Sequence, residues 1–189
     1  MRIPETLQVI ETPDKGYGII TTVDIQPGEF VFQFNGVFVS PAEATWEALQ
    51  IDDDLFLEST DGFDNYLNHS CDPNCYIDFD GVKLIALRHI SKGEELSFNY
   101  LTTEYDLIEQ GCAFECQCGS IDCLHQLRGF KYLTLEQKIK LRDFLSPFLK
   151  RVLERELNQI ADSAPEVERA VVLETRAALP EPPPDLDRP

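Results

Sequence analysis

The sequence has few basic residues, with 16 Lys and Arg against 34 Asp and Glu and a formal net charge of −18 in 189 residues. No Lys/Arg cluster in it has the form of a nuclear localisation signal. Such an acidic surface repels phosphate backbones, so the charge disfavours direct nucleic-acid binding. It would instead attract a basic partner such as a lysine-rich peptide, although solubility alone also explains an acidic surface.

Long apolar runs are missing as well, and none approaches the length of a membrane span. The first residues, Met1-Arg2-Ile3-Pro4-Glu5, lack the charged-then-apolar layout of a secretory signal. We therefore expect an intracellular protein, cytoplasmic or nuclear, that does not associate with membranes. The hydrophobic content of 43% is typical of one globular domain with a real core and an extension.

Cysteine is absent from residues 1–70 and 124–189, which does not suit a disulfide framework spread through a small secreted fold. The segment Cys116-Gln117-Cys118-Gly119-Ser120-Ile121-Asp122-Cys123 instead brings three thiols together, as a structural zinc site requires. A fourth ligand must come from elsewhere, and the alternative is a set of buried thiols without metal. The candidates for the fourth ligand are Cys71, Cys75, Cys112 and His125.

Most of the first hundred residues have the pattern of short strands separated by turns. Residues 5–40 are rich in β-formers, Asp80-Gly81 predicts a hairpin turn between strands at 75–79 and 82–87, and Glu95 to Tyr100 predicts another strand. Ser40-Pro41-Ala42-Glu43 has a helix cap and a capping box, which predicts a short helix ending near Leu49-Gln50.

The composition changes to helix from Thr134 onward. Thr134 and Gln137 form a capping box, and Ser146-Pro147 predicts a break followed by a second helix. A further helix is predicted within 166–179, and the proline-rich end, 180–189, is typical of a disordered or polyproline tail.

Three further motifs are weak when taken singly. Lys15-Gly16-Tyr17-Gly18 is explained by an ordinary turn, Asn68-His69 by turn formers, and the tyrosine ending Ser97-Phe98-Asn99-Tyr100 by core packing. In this order, however, and together with Ser70-Cys71, Pro73-Asn74, Gly93-Glu94-Glu95-Leu96 and the Cys-x-Cys-Gly-x3-Cys segment, they resemble the SET-domain family of protein lysine methyltransferases. The resemblance covers about residues 5–133.

This resemblance implies a mostly β fold with added helices, the SET-domain β-clip with a pseudoknot between the segments near Asn68 and Tyr100. It implies a SET domain over 5–101, a zinc-bound post-SET segment over 112–128, a C-terminal helical extension over 134–179 and a disordered tail over 180–189. The activity it implies is S-adenosylmethionine-dependent transfer of a methyl group to a protein lysine, for example in a basic histone-like tail.

The family also implies roles for individual residues of this sequence. Tyr100 would be the catalytic tyrosine. The zinc ligands would be Cys71, Cys116, Cys118 and Cys123, which leaves Cys75 and Cys112 as spare buried thiols. The S-adenosylmethionine-binding residues would be Lys15, Gly16, Tyr17, Asn68, His69, Tyr100 and Leu127.

Three positions depart from the family pattern. Phe34 stands where many members have a tyrosine, Asn65 where an arginine is common, and Asn99 where an aspartate is frequent. The missing hydroxyl at Phe34 leaves the acceptor open, so a SET-fold methyltransferase acting on a small molecule is a second hypothesis. A SET-like binding module without turnover is a third. Acidic residues are expected around the peptide groove, or in a merely solvated loop, at Asp52, Asp53, Asp54, Glu58, Asp61 and Asp64.

Overall fold

The computed structural model describes residues 3–163, whose strands form five small sheets. The helices are α1 (Leu135–Leu141) and α2 (Pro147–Ser163), with short 3-10 turns at Asp64–Tyr66, Tyr100–Thr102, Phe130–Tyr132 and Arg142–Phe144. The strands are β1 (Leu7–Thr12), β2 (Gly16–Thr21), β3 (Phe30–Gln33), β4 (Gly36–Val39), β5 (Leu49–Asp52), β6 (Leu55–Ser59), β7 (Asn68–His69), β8 (Cys75–Asp78), β9 (Lys83–Ala86), β10 (Ser97–Phe98), β11 (Phe114–Glu115) and β12 (Gln126–Leu127).

The larger sheets are antiparallel, and they confirm the strands and turns predicted for residues 5–40 and 75–87. Strands β1 and β2 form one hairpin, β3-β9-β8 a three-stranded sheet and β4-β6-β5 another. The turn at 79–82 joins β8 to β9, with Gly81 at φ 86° and Val82 at φ 50°. Alternate residues of β8 and β9 are buried, and all three sheets contribute residues to a shared apolar core.

The helix predicted after Ser40 is wrong. Half of its capping box does form, since the Ser40 amide donates to Glu43 Oε2 at 3.2 Å, and the Ala44 amide donates to the Ser40 carbonyl at 3.0 Å. After this single turn the carboxylate of Glu58 on β6 accepts hydrogen bonds from the Thr45 amide at 2.8 Å and the Thr45 hydroxyl at 2.9 Å. The chain then enters β5, because this tertiary contact overrides the local helical signal.

The strand predicted from Glu95 to Tyr100 is shorter in the structure and contains only Ser97 and Phe98. It ends there because Asn99 Oδ1 accepts a hydrogen bond from the Leu101 amide at 3.0 Å and caps a 3-10 turn that begins at Tyr100. Tyr100 therefore lies on a tight turn rather than at the end of a strand.

The C-terminal helices pack back on the β-sheets. The predicted capping box at Thr134 and Gln137 is confirmed, and α2 begins at Pro147 as predicted. Arg151 Nη2 lies 2.6 Å from Asp52 Oδ1, which joins α2 to β5. The apolar cluster beneath these helices is Phe130, Leu145, Phe148, Leu149, Val152, Leu153 and Leu157.

The helix predicted within 166–179 and the tail at 180–189 lie outside the described residues. Between residues 3 and 163, no helix combines the length and apolar character that crossing a membrane requires.

Gly129 comes directly before the 3-10 turn at Phe130–Tyr132 and offers a test of how closely this turn packs against Tyr105. Its φ is 115°, and an added Cβ would overlap the Tyr105 carbonyl oxygen. Gly93 has φ 88°, but an added Cβ there would meet nothing within 4 Å. We expect Gly129→Ala to lower the free energy of unfolding by at least about 3 kcal/mol and Gly93→Ala by about 1–2 kcal/mol. Urea unfolding measures both, and equal losses would contradict this account of Gly129.

Candidate active site and metal centre

A short parallel strand pair assembles the candidate site from two distant segments. In the pairing of β7 with β10, Asn68 lies opposite Ser97 and His69 opposite Phe98. The Tyr100 amide then donates to Nδ1 of His69 at 3.2 Å, and the two rings lie edge to face with centroids 5.3 Å apart. The pairing therefore brings the predicted residues Asn68 and His69 to Tyr100.

His69 connects Tyr100 to the cysteine cluster. Burial, together with the nearby charge of Lys15, lowers the pKa of His69 to about 3, so its ring is neutral at physiological pH. Nδ1 accepts the Tyr100 amide, which places the ring proton on Nε2, 3.3 Å from Cys71 Sγ. The ring therefore donates toward this thiol on one side while its other nitrogen is held by the Tyr100 backbone.

The glycine loop, Lys15-Gly16-Tyr17-Gly18, is fixed to Asn68 through Glu95, a residue for which the sequence predicted no role of its own. Glu95 accepts a hydrogen bond from Asn68 Nδ2 at 2.7 Å and forms an ion pair with Lys15 Nζ at 2.9 Å. The Asn68 amide also donates to the Tyr17 carbonyl at 2.8 Å. A Cβ on Gly18 would lie 2.7 Å from Glu95 Oε1, so a larger residue there would displace the Glu95 carboxylate from its contacts with Asn68 and Lys15.

A polar cleft of about 270 Å³ opens between the glycine loop and the cysteine segment. Lys15, Asn68, His69 and Tyr100 are the predicted cofactor residues that line it. The other lining residues are Asp14, Phe114, Glu115, Cys116, Gln117 and Cys118.

The remaining predicted cofactor residues do not line this polar cleft. Gly16 has φ 74° at the start of β2, and Tyr17 is half exposed with its ring 5.4 Å from that of Tyr66. Leu127 is completely buried against Leu101 and other members of an apolar cluster. Its side chain therefore supports the site from the interior.

A second, apolar cleft of about 150 Å³ lies next to the polar one. Phe34 and Asn65, two of the departures from the family pattern, line it. The Asn65 amide donates to Glu47 Oε2 at 2.7 Å. The other residues that line the apolar cleft are Trp46, Glu47, Ala48, Leu49, Leu57, Asp64, Leu67, Phe98, Tyr100, Glu104, Leu107, Gln110, Cys112 and Phe114.

Tyr100 and Phe114 line both clefts. The Tyr100 hydroxyl donates to the Leu67 carbonyl at 2.7 Å. Burial raises the pKa of Tyr100 above its usual range, and the charges of Glu104 and Glu95 add to this effect, so the hydroxyl stays protonated at neutral pH. A neutral hydroxyl therefore stands where the polar and apolar clefts meet.

Most of the acidic residues expected around a groove have other contacts. Asp64 lines the apolar cleft and accepts a hydrogen bond from the Ser59 hydroxyl. Asp52 pairs with Arg151, and Glu58 is held by Thr45. Of the six acidic residues expected there, Asp64 alone lines the apolar cleft.

Four cysteine thiols meet beside the polar cleft. The sulfurs of Cys71, Cys116, Cys118 and Cys123 all lie within 4.8 Å of one another. Zn–S bonds of about 2.3 Å in a tetrahedron require S···S distances of about 3.8 Å. The Cys71 and Cys116 sulfurs are 3.9 Å apart, so this set fits a tetrathiolate metal site.

The electrostatics of the cluster favour a thiolate at Cys118. Burial alone would raise the pKa of this thiol, but hydrogen bonds from the backbone amides of Cys71 and Ser120, and from neighbouring thiols, lower the pKa to about 6. Burial keeps the pKa of Cys71 above its usual range. A cation at the centre of the cluster would favour thiolates at all four positions.

The other candidates for the fourth ligand do not place a ligand atom in this cluster. Cys75 is fully buried in the main core, Cys112 donates to the Gln110 carbonyl at 3.3 Å, and the backbone carbonyl of His125 accepts from the Cys116 amide at 2.8 Å. Among residues 3–163, the group that meets the spacing for a metal site contains Cys71 as its fourth thiol.

Comparison with known proteins shows which family model this chain matches. The model of the SET domain matches residues 16–101, which include the glycine loop, β7, β10 and Tyr100. The chain contains a SET domain.

The relatives of this SET domain include an H3 lysine-36 specific histone-lysine N-methyltransferase of Coccidioides immitis. That protein is 33% identical over 144 residues, which make up 65% of this chain and 14% of the relative. The histone-lysine N-methyltransferase EHMT1 of Homo sapiens is 31% identical over 142 residues, 63% of this chain and 11% of the relative. The chain thus spans less than a fifth of the length of these two relatives.

Solved structures with the SET fold include KRYPTONITE in complex with mCHG DNA and SAH. It matches this chain with a TM-score of 0.54 and 25% identity, covering 64% of this chain and 28% of KRYPTONITE. The match agrees with the fold class that the sequence predicts, a set of small β-sheets with few helices.

The cysteine cluster predicts that the purified protein carries about one equivalent of zinc. Cys118→Ser removes a sulfur from the tetrahedral set and is expected to lower the metal content to below about a tenth of an equivalent. Cys112→Ser is the matched control, because its hydroxyl can keep the bond to the Gln110 carbonyl and the four thiols stay intact. Elemental analysis after dialysis measures both, and full metal content in Cys118→Ser would contradict the ligand assignment.

Proposed function

We propose that this protein transfers a methyl group from S-adenosylmethionine to a lysine amine of a protein substrate. The observation that carries the proposal is the position of Tyr100 between a polar and an apolar cleft. The SET domain and the names of its histone-lysine methyltransferase relatives support the same activity. The SAH in the KRYPTONITE structure supports the cofactor.

The polar cleft is the proposed cofactor site. Lys15, Asn68 and His69 line it. Lys15 and Asn68 would bind the cofactor with polar groups and His69 with the face of its ring, while Gly16 and Tyr17 would contribute backbone groups from the adjoining loop. Bound there, S-adenosylmethionine would supply an electrophilic methyl group on a sulfonium. Leu127 would act indirectly, since it is buried behind the cysteine segment that forms one wall.

The apolar cleft is the proposed acceptor site. Its lining is largely aromatic and aliphatic, and apolar surroundings favour the neutral form of a lysine amine whose ordinary pKa is about 10.4. Tyr100 presents a neutral hydroxyl at the junction and would orient the amine in line with the methyl group. Phe34 adds ring surface but no hydroxyl to this cleft.

Zinc held by Cys71, Cys116, Cys118 and Cys123 is the proposed support of the cofactor wall. Cys116 and Cys118 themselves line the polar cleft, and Cys71 lies next to the loop of His69. A metal shared among these thiols would tie the post-SET segment, proposed at 112–128, to the SET domain proposed at 5–101. Our proposed division assigns 134–179 to the helical extension.

A basic, histone-like tail is the proposed substrate class. The formal charge of −18 would attract such a peptide, and the apolar cleft is lined by the acidic residues Glu47, Asp64 and Glu104. A histone substrate would place the protein in the nucleus. The absence of direct nucleic-acid binding stays a prediction from charge, since KRYPTONITE, of which this chain covers 28%, was solved with DNA.

The proposal is tested by S-adenosylmethionine calorimetry followed by transfer of a labelled methyl group to histones and to a whole-cell lysate. We expect cofactor binding and a labelled protein band. Tyr100→Phe is expected to lower transfer by about 100-fold or more, because it removes the hydroxyl oxygen that would accept from the amine and orient it, the hydroxyl proton being donated to the Leu67 carbonyl.

Phe34→Leu is the comparison variant for Tyr100→Phe, since it changes the same apolar cleft without removing a hydroxyl. Absence of cofactor binding in the parent protein would contradict any methyltransferase activity. Cofactor binding with label appearing in small molecules and in no protein band would contradict the protein substrate.

A further inference from the structure

Glu104 is a buried residue of the apolar cleft whose carboxyl has no chemical role in the methyl transfer proposed for Tyr100. It follows the 3-10 turn of Tyr100, and its amide donates to the Tyr100 carbonyl at 2.8 Å. Its own carbonyl accepts from the Phe130 amide at 2.9 Å. With 8% of its surface exposed, Glu104 is fixed on both sides in the wall of the apolar cleft.

The partners of this carboxyl are neutral groups. Oε1 accepts from the Gln50 amide at 3.2 Å and from the Thr103 hydroxyl at 3.1 Å, and Oε2 accepts from Gln110 Nε2 at 3.4 Å. Within residues 3–163, none of the ion pairs includes Glu104, and no Lys, Arg or His lines the apolar cleft. A buried carboxylate without a cation is unfavourable, so a cationic ligand would complete this site.

The electrostatics place the charge of Glu104 near the reacting centre. Burial raises the pKa of Glu104 to about 7 against the opposing effect of its hydrogen bonds. The charge of Glu104 in turn contributes to the raised pKa values of Tyr100 and Cys112, which line the same cleft. The charge of Glu104 therefore favours the protonated hydroxyl of Tyr100, the residue that lines both clefts.

The other carboxyls of the apolar cleft are less suited to meet an ammonium group there. Asp64 is held by Ser59 and also borders a separate surface cleft, and Glu47 is exposed and accepts from Asn65. Both are acidic, so every titratable carboxyl that lines the cleft favours a cation, and the thiol of Cys112 and the hydroxyl of Tyr100 are its remaining ionisable groups.

We propose that the Glu104 carboxylate receives the ammonium of the acceptor lysine and takes its proton before methyl transfer, an inference that rests on the proposed function. One N–H bond of the ammonium breaks and one O–H bond forms on Glu104. The neutral amine then attacks the methyl carbon, the C–S bond breaks and its electron pair stays on sulfur. The methylated ammonium leaves the cleft, and Glu104 loses its proton to solvent.

The test is a pH profile of single-turnover methyl transfer to histone H3 by the parent protein and by Glu104→Gln. Gln keeps an acceptor for Gln50 and Thr103 but cannot take the proton. We expect the Gln variant to be slower by on the order of 100-fold at pH 7.5. Its rate should then rise about tenfold per pH unit toward the lysine pKa of about 10.4, whereas the parent rate levels off by about pH 8.

Glu109→Gln is the matched control, because it removes the same charge from an exposed side chain five residues away. Its profile is expected to run with that of the parent. Calorimetry should show the same affinity for S-adenosylmethionine, within about twofold, in all three proteins. A Glu104→Gln profile parallel to that of the parent at every pH would overturn the proton-transfer role.

Stability separates this role from a structural one. A carboxyl with a folded-state pKa raised to about 7 stabilises the fold below its unfolded pKa, and this contribution is lost as the pH rises through about 7. Glu104→Gln should therefore melt no earlier than the parent at pH 8.

The parent protein alone provides a second test that does not depend on the variant folding. A parent rate that climbs tenfold per unit from pH 8 to 9.5 would overturn the inference, since the proton would then leave in solution. A parent protein that binds cofactor but labels no protein would contradict the proposed function itself, and the role of Glu104 with it.

Discussion

The two-residue parallel pairing of β7 with β10 is the constraint on which the site depends. It joins segments about thirty residues apart. Its register places the His69 ring where Nδ1 accepts a hydrogen bond from the Tyr100 amide. A shift by one residue would turn these side chains to the opposite faces. The polar cleft, the hydroxyl at its end and the contact with the cysteine cluster all follow from this one register.

Desolvation then gives each ionisable group its state. Burial lowers the pKa of His69 and raises that of Tyr100, so that His69 is neutral and Tyr100 protonated at neutral pH. It also raises the pKa of Glu104 to about 7, while backbone amides favour a thiolate at Cys118. These groups lie on different segments, and the pKa values of His69, Tyr100 and Glu104 are shifted mainly because their surroundings exclude water, whereas hydrogen bonds lower the pKa of Cys118. Packing and hydrogen bonds therefore set the protonation states in this site more than ion pairs do. The site does contain one ion pair, between Lys15 and Glu95.

Much of the secondary structure and three of the four clustered thiols could be predicted from the sequence because the patterns that indicate them are local. The hairpins, the cap at Thr134, the break before Pro147 and the cysteine spacing each need only a few consecutive residues. The prediction of a helix after Ser40 was wrong because Thr45 donates a hydrogen bond to Glu58, which lies 13 residues further along the chain on another strand. The role of Glu95 and the burial of Glu104 could not be predicted for a related reason, since the contacts that hold Glu95 to Asn68 and Lys15 and those that bury Glu104 join distant segments.

The ion pair between Asp52 and Arg151 has a consequence for how the chain is made. The partners are 99 residues apart, and α2 covers β5 only through residues at the end of the described chain. At a synthesis rate of roughly 5–20 residues per second, β5 waits on the order of 5–20 s for its cover. Sheets that form during translation therefore do so by their own pairings, and α2 completes the packing only after it has left the ribosome.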